Sequence, residues 1–268
     1  MSSIKQTYIG DGSVYLIAGG GKIYADIAAR FCYGERPIKS IIDSKYSPFI
    51  IQNLLQSNHK SPLEFDYFLF GVEGYSRVTE VQLVRKRMAS YLIKSGRMEL
   101  GGKRLYNVVL PKLVADFKAS VDIPGVWFSK ELSGSDLISI LEQWYSAAVE
   151  KGIPEEDARY LKPQATEFKG IIGMNAHALY DFFAVRCCRN AQAEIRDMAH
   201  KMLKLCKDAA PDLFKNAGPN CVQLGYCPEN VRQNEVCKGK VPTRSDVDAL
   251  ISKHYKAELR TAHELLTT

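Results

Sequence analysis

Three consecutive basic residues, Arg85, Lys86 and Arg87, interrupt an otherwise apolar segment of this 268-residue chain. Gln82 precedes Arg85 by three residues, a spacing that puts both side chains on one face of a helix. The apolar positions of that helix would be Leu83, Val84, Met88, Leu92 and Ile93. A packed helix has little reason to carry three cations in a row unless an anion meets them, although a solvated basic face is the common alternative. We therefore predict an anion-binding helix through this segment.

Seven residues separate Arg87 from the tripeptide Ser95-Gly96-Arg97, which suits the same chemistry. Successive backbone N–H groups at a Ser-Gly step hold an oxyanion, and the guanidinium of Arg97 matches phosphate with two parallel hydrogen bonds. The sequence sets no general base beside Ser95. We therefore assign Ser95 to anion binding rather than to nucleophilic catalysis.

A second candidate, Arg186, lies in an apolar segment further along the chain. We predict one long helix from about residue 175 to 207, with Leu179, Phe182 and Phe183 on its buried stripe. Arg186 is the next residue on that stripe. Because a buried cation needs a partner, Arg186 is a candidate ligand-binding residue; a snorkelling or salt-bridged arginine is the alternative.

Short strands and several helices must position these residues. Apolar patterns predict strands near residues 14–18, 65–70 and 106–110. They predict helices over about 23–31, from 47, over 136–151, and from 245. Helices with a few interspersed strands are typical of an α+β or an α/β fold.

The helix over residues 136–151 has the clearest amphipathic pattern. Asp136 lies in its cap region and Gly152 at its end. Its buried stripe should comprise Leu137, Ile140, Leu141, Trp144 and Ala148. The composition shifts to Gly, Pro, Asn and Cys after Pro211, so we expect a main domain over residues 1–215 and an extension over residues 216–268.

Composition narrows the class of protein only modestly. The chain is 46% hydrophobic and 25% charged, and its net charge of +6 suits an anionic small molecule as well as nucleic acid. The candidate arginines lie in distant segments rather than along one stripe, which argues against nucleic acid. The sequence shows no signal peptide and no apolar window of transmembrane length, so we expect no membrane partner and a cytoplasmic location.

The seven cysteines are odd in number and include the adjacent pair Cys187-Cys188, which favours a reduced setting. Cys221, Cys227 and Cys237 are separated by five and nine residues. Zinc takes four ligands and usually a shorter first spacing, and no fourth ligand is evident nearby in the sequence. We therefore assign no metal site and expect free or transiently paired thiols.

The motif Arg85-Lys86-Arg87, seven residues, Ser95 resembles the Arg-His-Arg, seven residues, Ser signature of the flavin-dependent thymidylate synthases. Further elements resemble the family in the same order over about residues 13–215. They are Ala28-Ala-Arg-Phe-Cys-Tyr, His59-Lys-Ser61-Pro-Leu-Glu64, Gly152-Ile-Pro through Arg159-Tyr-Leu-Lys-Pro163, Asn175-Ala-His177 through Arg186, and Ala191-Gln-Ala-Glu194-Ile. The resemblance implies an α+β fold with helices around a central, mostly antiparallel sheet.

The resemblance also implies an activity. The family methylates dUMP to dTMP with methylenetetrahydrofolate, FAD and NADPH, and we expect a homotetramer. The positions that match the family's nucleotide site are Gln82, Arg85, Ser95, Gly96, Arg97, Arg159 and Arg186, of which Arg186 and Arg85 would be catalytic. The positions assigned to the FAD site are His59, Ser61, Glu64, Arg85, Lys86, Arg87, Asn175, His177 and Asp181.

The sequence departs from the family pattern mainly around the flavin. Lys86 replaces a histidine, Leu92-Ile93 replaces an Asn-Glu pair, His177 replaces an arginine and Asp181 replaces an asparagine. Two alternatives therefore accompany the main interpretation. One is a flavin-dependent methylase of another pyrimidine nucleotide, such as UMP, and the other is a relative that binds nucleotides without turnover.

Overall fold

The computed structural model of the protein describes residues 5–21, 23–95, 106–122, 124–125, 129–229, 237 and 241–267, with the side chains of these residues except 33 and 256–267. The chain divides into two compact units. The first unit comprises Met1–Lys22 with Glu64–Ala178, and the second comprises Ile23–Leu63 with Leu179–Thr268. The boundary expected at residue 215 stays a prediction.

Twenty strands and α-helices occur in the described part of the chain. The strands are β1 (Gln6–Tyr8), β2 (Ser13–Ala18), β3 (Tyr67–Ser76), β4 (Ser90–Ile93), β5 (Val108–Leu110), β6 (Lys118–Val121), β7 (Lys130–Ser133) and β8 (Glu167–Asn175). The helices are α1 (Tyr24–Tyr33), α2 (Ile38–Ile42), α3 (Pro48–Gln56), α4 (Arg77–Leu83), α5 (Lys112–Asp116), α6 (Gly134–Glu150), α7 (Glu155–Ala158), α8 (Ala176–Arg186), α9 (Ala193–Ala209), α10 (Pro211–Phe214), α11 (Asn220–Leu224) and α12 (Arg244–Thr267). Short 3₁₀ turns cover Ser61–Phe65 and Arg159–Leu161.

The first unit is built on a four-stranded antiparallel sheet with the order β2-β3-β8-β4. Alternate side chains of its two central strands are buried, as expected for a half-covered sheet: Phe68, Phe70, Val72, Ile172 and Met174. Smaller pairings join β1 to β5 in parallel and β6 to β7 antiparallel. The mixture of helices with a mainly antiparallel sheet confirms the α+β class.

A separate hydrophobic cluster of the first unit lies between β5, α5 and α6. Tyr106 and Tyr145 meet edge to face, with their ring centroids 5.7 Å apart. The ammonium group of Lys162 lies 4.4 Å from the centroid of the Tyr145 ring, a cation–π contact. Ala158, which directly precedes the 3₁₀ turn that begins at Arg159, also belongs to this cluster, so the cluster anchors the start of that turn.

The second unit is helical in its described residues. Tyr180 of α8 stacks on Phe214 of α10 at 5.8 Å between centroids, and its hydroxyl donates to the carbonyl oxygen of Leu213 at 2.9 Å. Helix α9 contributes the largest buried face of this core: Ile195, Met198, Ala199, Met202, Leu203 and Cys206. Phe183 of α8 also contacts Phe214 edge to face, so α8 packs against α10 one turn before its end at Arg186.

The helix predicted to run from residue 82 towards Ile93 is wrong. Helix α4 ends at Leu83, and Ser90–Ile93 forms the edge strand β4 of the main sheet. Strand β4 pairs with β8, and the N–H of Lys94 extends the ladder by donating to the carbonyl oxygen of Lys169 at 2.9 Å. The three basic residues therefore lie in a turn between a helix and a strand, because long-range strand pairing outweighs local helix propensity.

The single helix predicted over residues 175–207 is also wrong, because it is interrupted between α8 and α9. Gln192 begins the second helix by accepting a hydrogen bond from the N–H of Ile195 at 3.3 Å. The guanidinium of Arg196 donates to the carbonyl oxygens of Arg189 at 2.8 Å and Ala191 at 3.0 Å. These bonds satisfy main-chain groups that a continuous helix would otherwise have paired.

Helix α6 confirms its predicted ends, but of its predicted buried stripe only Ala148 is buried. Ser133 and Asp136 form a capping box at its start, and Gly152 follows its end with φ of +86°. The buried residues are Ile138, Tyr145 and Ala148, which face the cluster around Tyr106. On the stripe that we expected to be buried, Leu137, Ile140 and Trp144 are 44%, 47% and 46% exposed.

Candidate functional site

The basic turn after α4 comprises Arg85, Lys86 and Arg87. Main-chain hydrogen bonds stabilise this turn, and the side chains of its two arginines lie at the surface. Arg85 and Arg87 are exposed, and within the part of the chain that the structure describes neither forms an ion pair. The N–H of Lys86 donates to the carbonyl oxygen of Leu83 at 3.2 Å. A main-chain turn that presents guanidinium groups to solvent fits an anionic ligand.

Of the predicted nucleotide-binding residues on either side of this turn, the structure describes Gln82 and Ser95. Gln82 is half-buried, and its side-chain amide donates to the carbonyl oxygen of Val78 at 3.3 Å. Ser95 is exposed and lies two residues beyond β4. Gly96 and Arg97 lie outside the described residues. The predicted Ser-Gly-Arg anion cradle is therefore described only at its first residue.

Arg159 begins the 3₁₀ turn that follows α7 and is half-buried. Its Nε donates to the carbonyl oxygen of Glu156 at 3.2 Å. A guanidinium group has five N–H donors, so this contact orients the side chain while using one of them. The geometry suits a residue that binds phosphate from a fixed position.

Three positions assigned to the flavin lie near the start of α8 in the first unit. The Nδ1 atom of His177 lies 3.2 Å from Oε1 of Glu64, with both side chains partly exposed. The side-chain oxygen of Asn175 accepts a hydrogen bond from the N–H of Ala178 at 2.8 Å and so caps α8. Both arrangements fix polar groups at the surface of the unit.

The second unit carries the other predicted site residues. The hydroxyl oxygen of Ser61 lies 3.0 Å from Nε2 of His59. Asp181 is exposed on α8, and Arg186 is the half-buried last residue of that helix. Arg186 also lines a cavity of about 410 Å³.

The residues present fit a flavin dinucleotide. Its pyrophosphate requires cations that are not already paired, and Arg85 and Arg87 meet this condition among the described residues. His177, in the same unit, supplies a hydrogen-bonding ring. Within the second unit, His59 and Ser61 form a separate hydrogen-bonding pair. Leu92, one of the two departures in the signature, is 69% exposed and offers apolar contact where a polar residue is usual in the family.

Sequence reasoning missed Tyr91, whose role depends on strand pairing. Its hydroxyl lies 2.8 Å from the carbonyl oxygens of both Leu83 and Lys86, the last residue of α4 and the middle residue of the basic turn. Burial raises the pKa of Tyr91 to about 12, so the hydroxyl remains a hydrogen-bond donor at neutral pH. A tyrosine in an apolar run gives no sequence signal for such a contact.

Sequence reasoning singled out Cys221, Cys227 and Cys237 but missed Cys188 and the cavity of about 410 Å³ that these residues share. Cys188, Cys221, Cys227 and Cys237 all line it, together with His200. Burial raises the pKa of the Cys221 thiol, and the neighbouring thiol of Cys188, then those of Cys227 and Cys237, raise it further. The signal was present in the odd spacing of the C-terminal cysteines, but the fourth member lies far away in the sequence.

The chain was compared with known proteins. The family model described as "Thymidylate synthase complementing protein" matches residues 21–212. The flavin-dependent thymidylate synthase of Geobacter sulfurreducens is 38% identical over 206 residues, covering 76% of this chain and 84% of that protein. The enzyme of the same name from Nitratidesulfovibrio vulgaris is 37% identical over 210 residues, covering 78% of this chain and 81% of that protein.

A solved structure also resembles this chain. It is a UMP/dUMP methylase, PolB, from Streptomyces cacaoi bound with 5-Br dUMP. The TM-score is 0.62 at 22% sequence identity, and the match covers 79% of this chain and 96% of that chain. At this identity the likeness shows a shared fold. None of the helices in the described part of the chain combines the length and the hydropathy needed to span a bilayer.

Proposed function

The chain belongs to the flavin-dependent thymidylate synthase family, and from this we infer that it methylates C5 of dUMP to form dTMP, with methylenetetrahydrofolate and NADPH as co-substrates and FAD as cofactor. The observation that carries the inference is the match of the family over residues 21–212. The guanidinium groups of Arg85 and Arg87 support it, because they are exposed and form no ion pair with any described residue, and a nucleotide and a dinucleotide are both anionic.

The nucleotide is bound by residues that supply cations and backbone donors. We assign its phosphate to Arg97, Arg159 and the Ser95-Gly96 backbone, since a dianion favours guanidinium forks and successive N–H groups. Arg186 donates to a uracil carbonyl oxygen and stabilises the negative charge that develops on the ring. Gln82 and Arg85 complete the nucleotide set, with Arg85 also acting in catalysis.

FAD, when bound, supplies hydride-transfer chemistry. The chain's part is to hold it: Arg85, Lys86 and Arg87 offset the negative charge of the pyrophosphate, and His177 is oriented by Glu64 at 3.2 Å. The remaining positions of this set are His59, Ser61, Asn175 and Asp181. No cysteine nucleophile is invoked, since burial raises the pKa of Cys187 to about 12 and raises that of Cys206 as well, which keeps both as unreactive thiols.

We also propose that the protein is a homotetramer with active sites formed between subunits. The outer face of the main sheet supports assembly because its apolar side chains are unusually exposed. Strand register puts Tyr15, Leu92 and Ile171 on one face, through the pairings of Gly71 with Tyr15 and with Ile171. Their exposed fractions are 55%, 69% and 39%. A contiguous apolar patch of this kind is typical of an interaction surface.

The direct test is turnover of purified protein with dUMP, methylenetetrahydrofolate, FAD and NADPH, with dTMP measured by liquid chromatography and mass spectrometry. We expect dTMP to form and the purified protein to show a flavin absorption spectrum. A parallel reaction with UMP tests the main alternative. If only UMP is methylated, the methyl acceptor is UMP rather than dUMP. If the protein binds the nucleotides but forms no product from either, it is a non-catalytic relative.

A further inference from the structure

Four half-buried cysteines from separate parts of the second unit line one cavity of about 410 Å³, together with the buried Cys187. Cys188 lies in the connection between α8 and α9, and Cys221 lies in the first turn of α11. Cys227 forms an isolated bridge with Thr243, and Cys237 reaches the cavity from further along the chain. All four thiols are half-buried and free.

Cys221 shares the cavity with the other three thiols and lies close enough to each of them for their charges to affect its own. After burial, the causes that raise the pKa of Cys221 include the thiols of Cys188, Cys227 and Cys237. Negative charges on four such groups repel each other, and a bound divalent cation reverses that repulsion because it deprotonates and binds thiols together. The cavity therefore has the ligand set of a metal site.

We propose that Cys188, Cys221, Cys227 and Cys237 bind one zinc ion as a structural tetrathiolate. Zinc in such sites is four-coordinate and tetrahedral, with Zn–S distances of about 2.3 Å, which puts neighbouring sulfur atoms about 3.8 Å apart. As the side chains stand, no three His, Cys, Asp or Glu groups among the described residues are close enough to hold a metal. Binding thus draws the four thiols inward into the cavity that they line.

The charge of the zinc site and the release of protons on binding are both compatible with the residues around the cavity. Four thiols release their protons as they bind Zn²⁺, which leaves a centre with a net charge of about −2. Arg189 lines the same cavity and offsets part of that charge. Zinc requires only four thiolates in a tetrahedral arrangement, whereas an iron–sulfur cluster also requires inorganic sulfide.

The metal would join three segments that existing contacts already bring together. The side chain of Asn190 donates to Glu229 at 2.6 Å, and that of Gln223 donates to the carbonyl oxygen of Tyr180 at 2.9 Å. Cys227 donates its N–H to the carbonyl oxygen of Pro242 at 2.7 Å. A zinc ion would fix the α8–α9 connection, α11 and the segment that leads to α12 to one another. It would also fix the end of α8, since Arg186 precedes Cys188 by two residues.

The experiment measures metal in the full-length protein, expressed with zinc in the medium and purified without chelator. We expect about one zinc ion per chain by inductively coupled plasma mass spectrometry. After the zinc is removed, added cobalt(II) should give the charge-transfer and ligand-field bands of a tetrahedral tetrathiolate. Cys188→Ser and Cys221→Ser should each lose most of the bound zinc. Cys32→Ser, which changes an exposed thiol on α1, should retain it.

Several results would overturn the proposal. They are a wild-type protein with iron and acid-labile sulfide in place of zinc, one with no stoichiometric metal, and one with disulfide bonds among these four cysteines after purification under reducing conditions. If the serine variants do not fold, the metal content and the cobalt spectrum of the wild-type chain still decide the question. Both measurements are independent of methyltransferase activity, so failure of the proposed function would leave them unaffected.

Discussion

The hydroxyl oxygen of Tyr91 lies 2.8 Å from the carbonyl oxygen of Lys86 and so ties the edge strand β4 to the basic turn. The same hydroxyl lies 2.8 Å from the carbonyl oxygen of Leu83, at the end of α4. One phenolic proton is therefore shared between two main-chain acceptors. The contact holds the backbone from which the guanidinium groups of Arg85 and Arg87 project, and so links sheet formation to anion binding.

Tyr91→Phe should weaken both the fold and FAD binding. Loss of this hydroxyl should lower the free energy of unfolding by about 0.5–1.5 kcal/mol. It should also raise the Kd for FAD, because the basic turn loses its tether to β4. Urea denaturation and fluorescence titration with FAD measure the two effects. Tyr160→Phe, at a residue that is 83% exposed, is the matched control and should change neither. Unchanged FAD affinity in the Tyr91 variant would contradict a positioning role.

Arg186→Ala should abolish most turnover and leave the fold intact. Removing a donor that stabilises developing negative charge typically costs about 2.7–4 kcal/mol of transition-state stabilisation, or about 10²–10³ in kcat. Steady-state assays of dTMP formation, with circular dichroism as the check on folding, measure the outcome. Arg244→Ala removes an exposed arginine of α12 and should retain wild-type turnover. Near-normal kcat in the Arg186 variant would remove this residue from the chemistry.

Much of the fold follows from local patterns, and the exception at β4 has a clear physical cause. Strand β2 and helices α3 and α12 lie where their apolar or charged periodicity predicts them. Strand β4 was not predictable, because its residues and those before it include good helix formers. The pairing of Ser90–Ile93 with β8 decides the structure there, and that partner lies in a distant part of the sequence.

The candidate site residues were likewise predictable only where the signal is local in the sequence. The basic triplet and Arg186 were found from residue type alone, since three adjacent cations and a cation on an apolar stripe are locally anomalous. Cys188 was missed as a partner of Cys221 because the sequence predicts a continuous helix through it. Only the break between α8 and α9 brings Cys188 to the cavity.

His177→Arg should tighten FAD binding. Arginine carries a permanent charge and five N–H donors, whereas the histidine ring has only two nitrogen atoms. We expect the Kd for FAD to fall by about threefold or more, equivalent to about 0.6 kcal/mol. Titration of the flavin-free protein measures it. His200→Arg is the control, since His200 is an exposed residue on α9 outside the assigned flavin set. Equal affinity in the His177 variant and the wild type would exclude this residue from contact with the flavin phosphates.

The homotetramer should be visible in solution at micromolar concentration. Four copies of a 30.1 kDa chain have a mass of about 120 kDa, which light scattering coupled to size exclusion separates clearly from a monomer. Ile171→Asp places a charge on the exposed face of the main sheet and should shift the population to smaller species if that face is buried on assembly. A wild-type protein that elutes as a monomer would contradict the proposed assembly.

Glu73 and Lys169 give a prediction for stability against pH. The Nζ atom of Lys169 lies 2.7 Å from Oε2 of Glu73, and this hydrogen bond and charge hold the pKa of Glu73 below its usual value. Because folding lowers this pKa, the pair stabilises the fold above the pKa that Glu73 has in the unfolded chain. That contribution is lost as the pH falls through the lower, folded pKa. In the single chain both side chains are substantially exposed, on the same sheet face as Tyr15 and Ile171, so solvent screening limits the contribution there to about 0.2–1 kcal/mol.

Glu73→Gln should therefore lower the free energy of unfolding by less than about 1 kcal/mol at neutral pH, and the difference from wild type should disappear in acid. Urea denaturation over a pH series measures this. A double-mutant cycle with Lys169→Met isolates the pair. Glu35→Gln, at an exposed carboxylate of the second unit, serves as the control for a general change in charge. A deficit in the Glu73 variant that persists unchanged at acid pH would show that the pair acts through packing rather than through its charge.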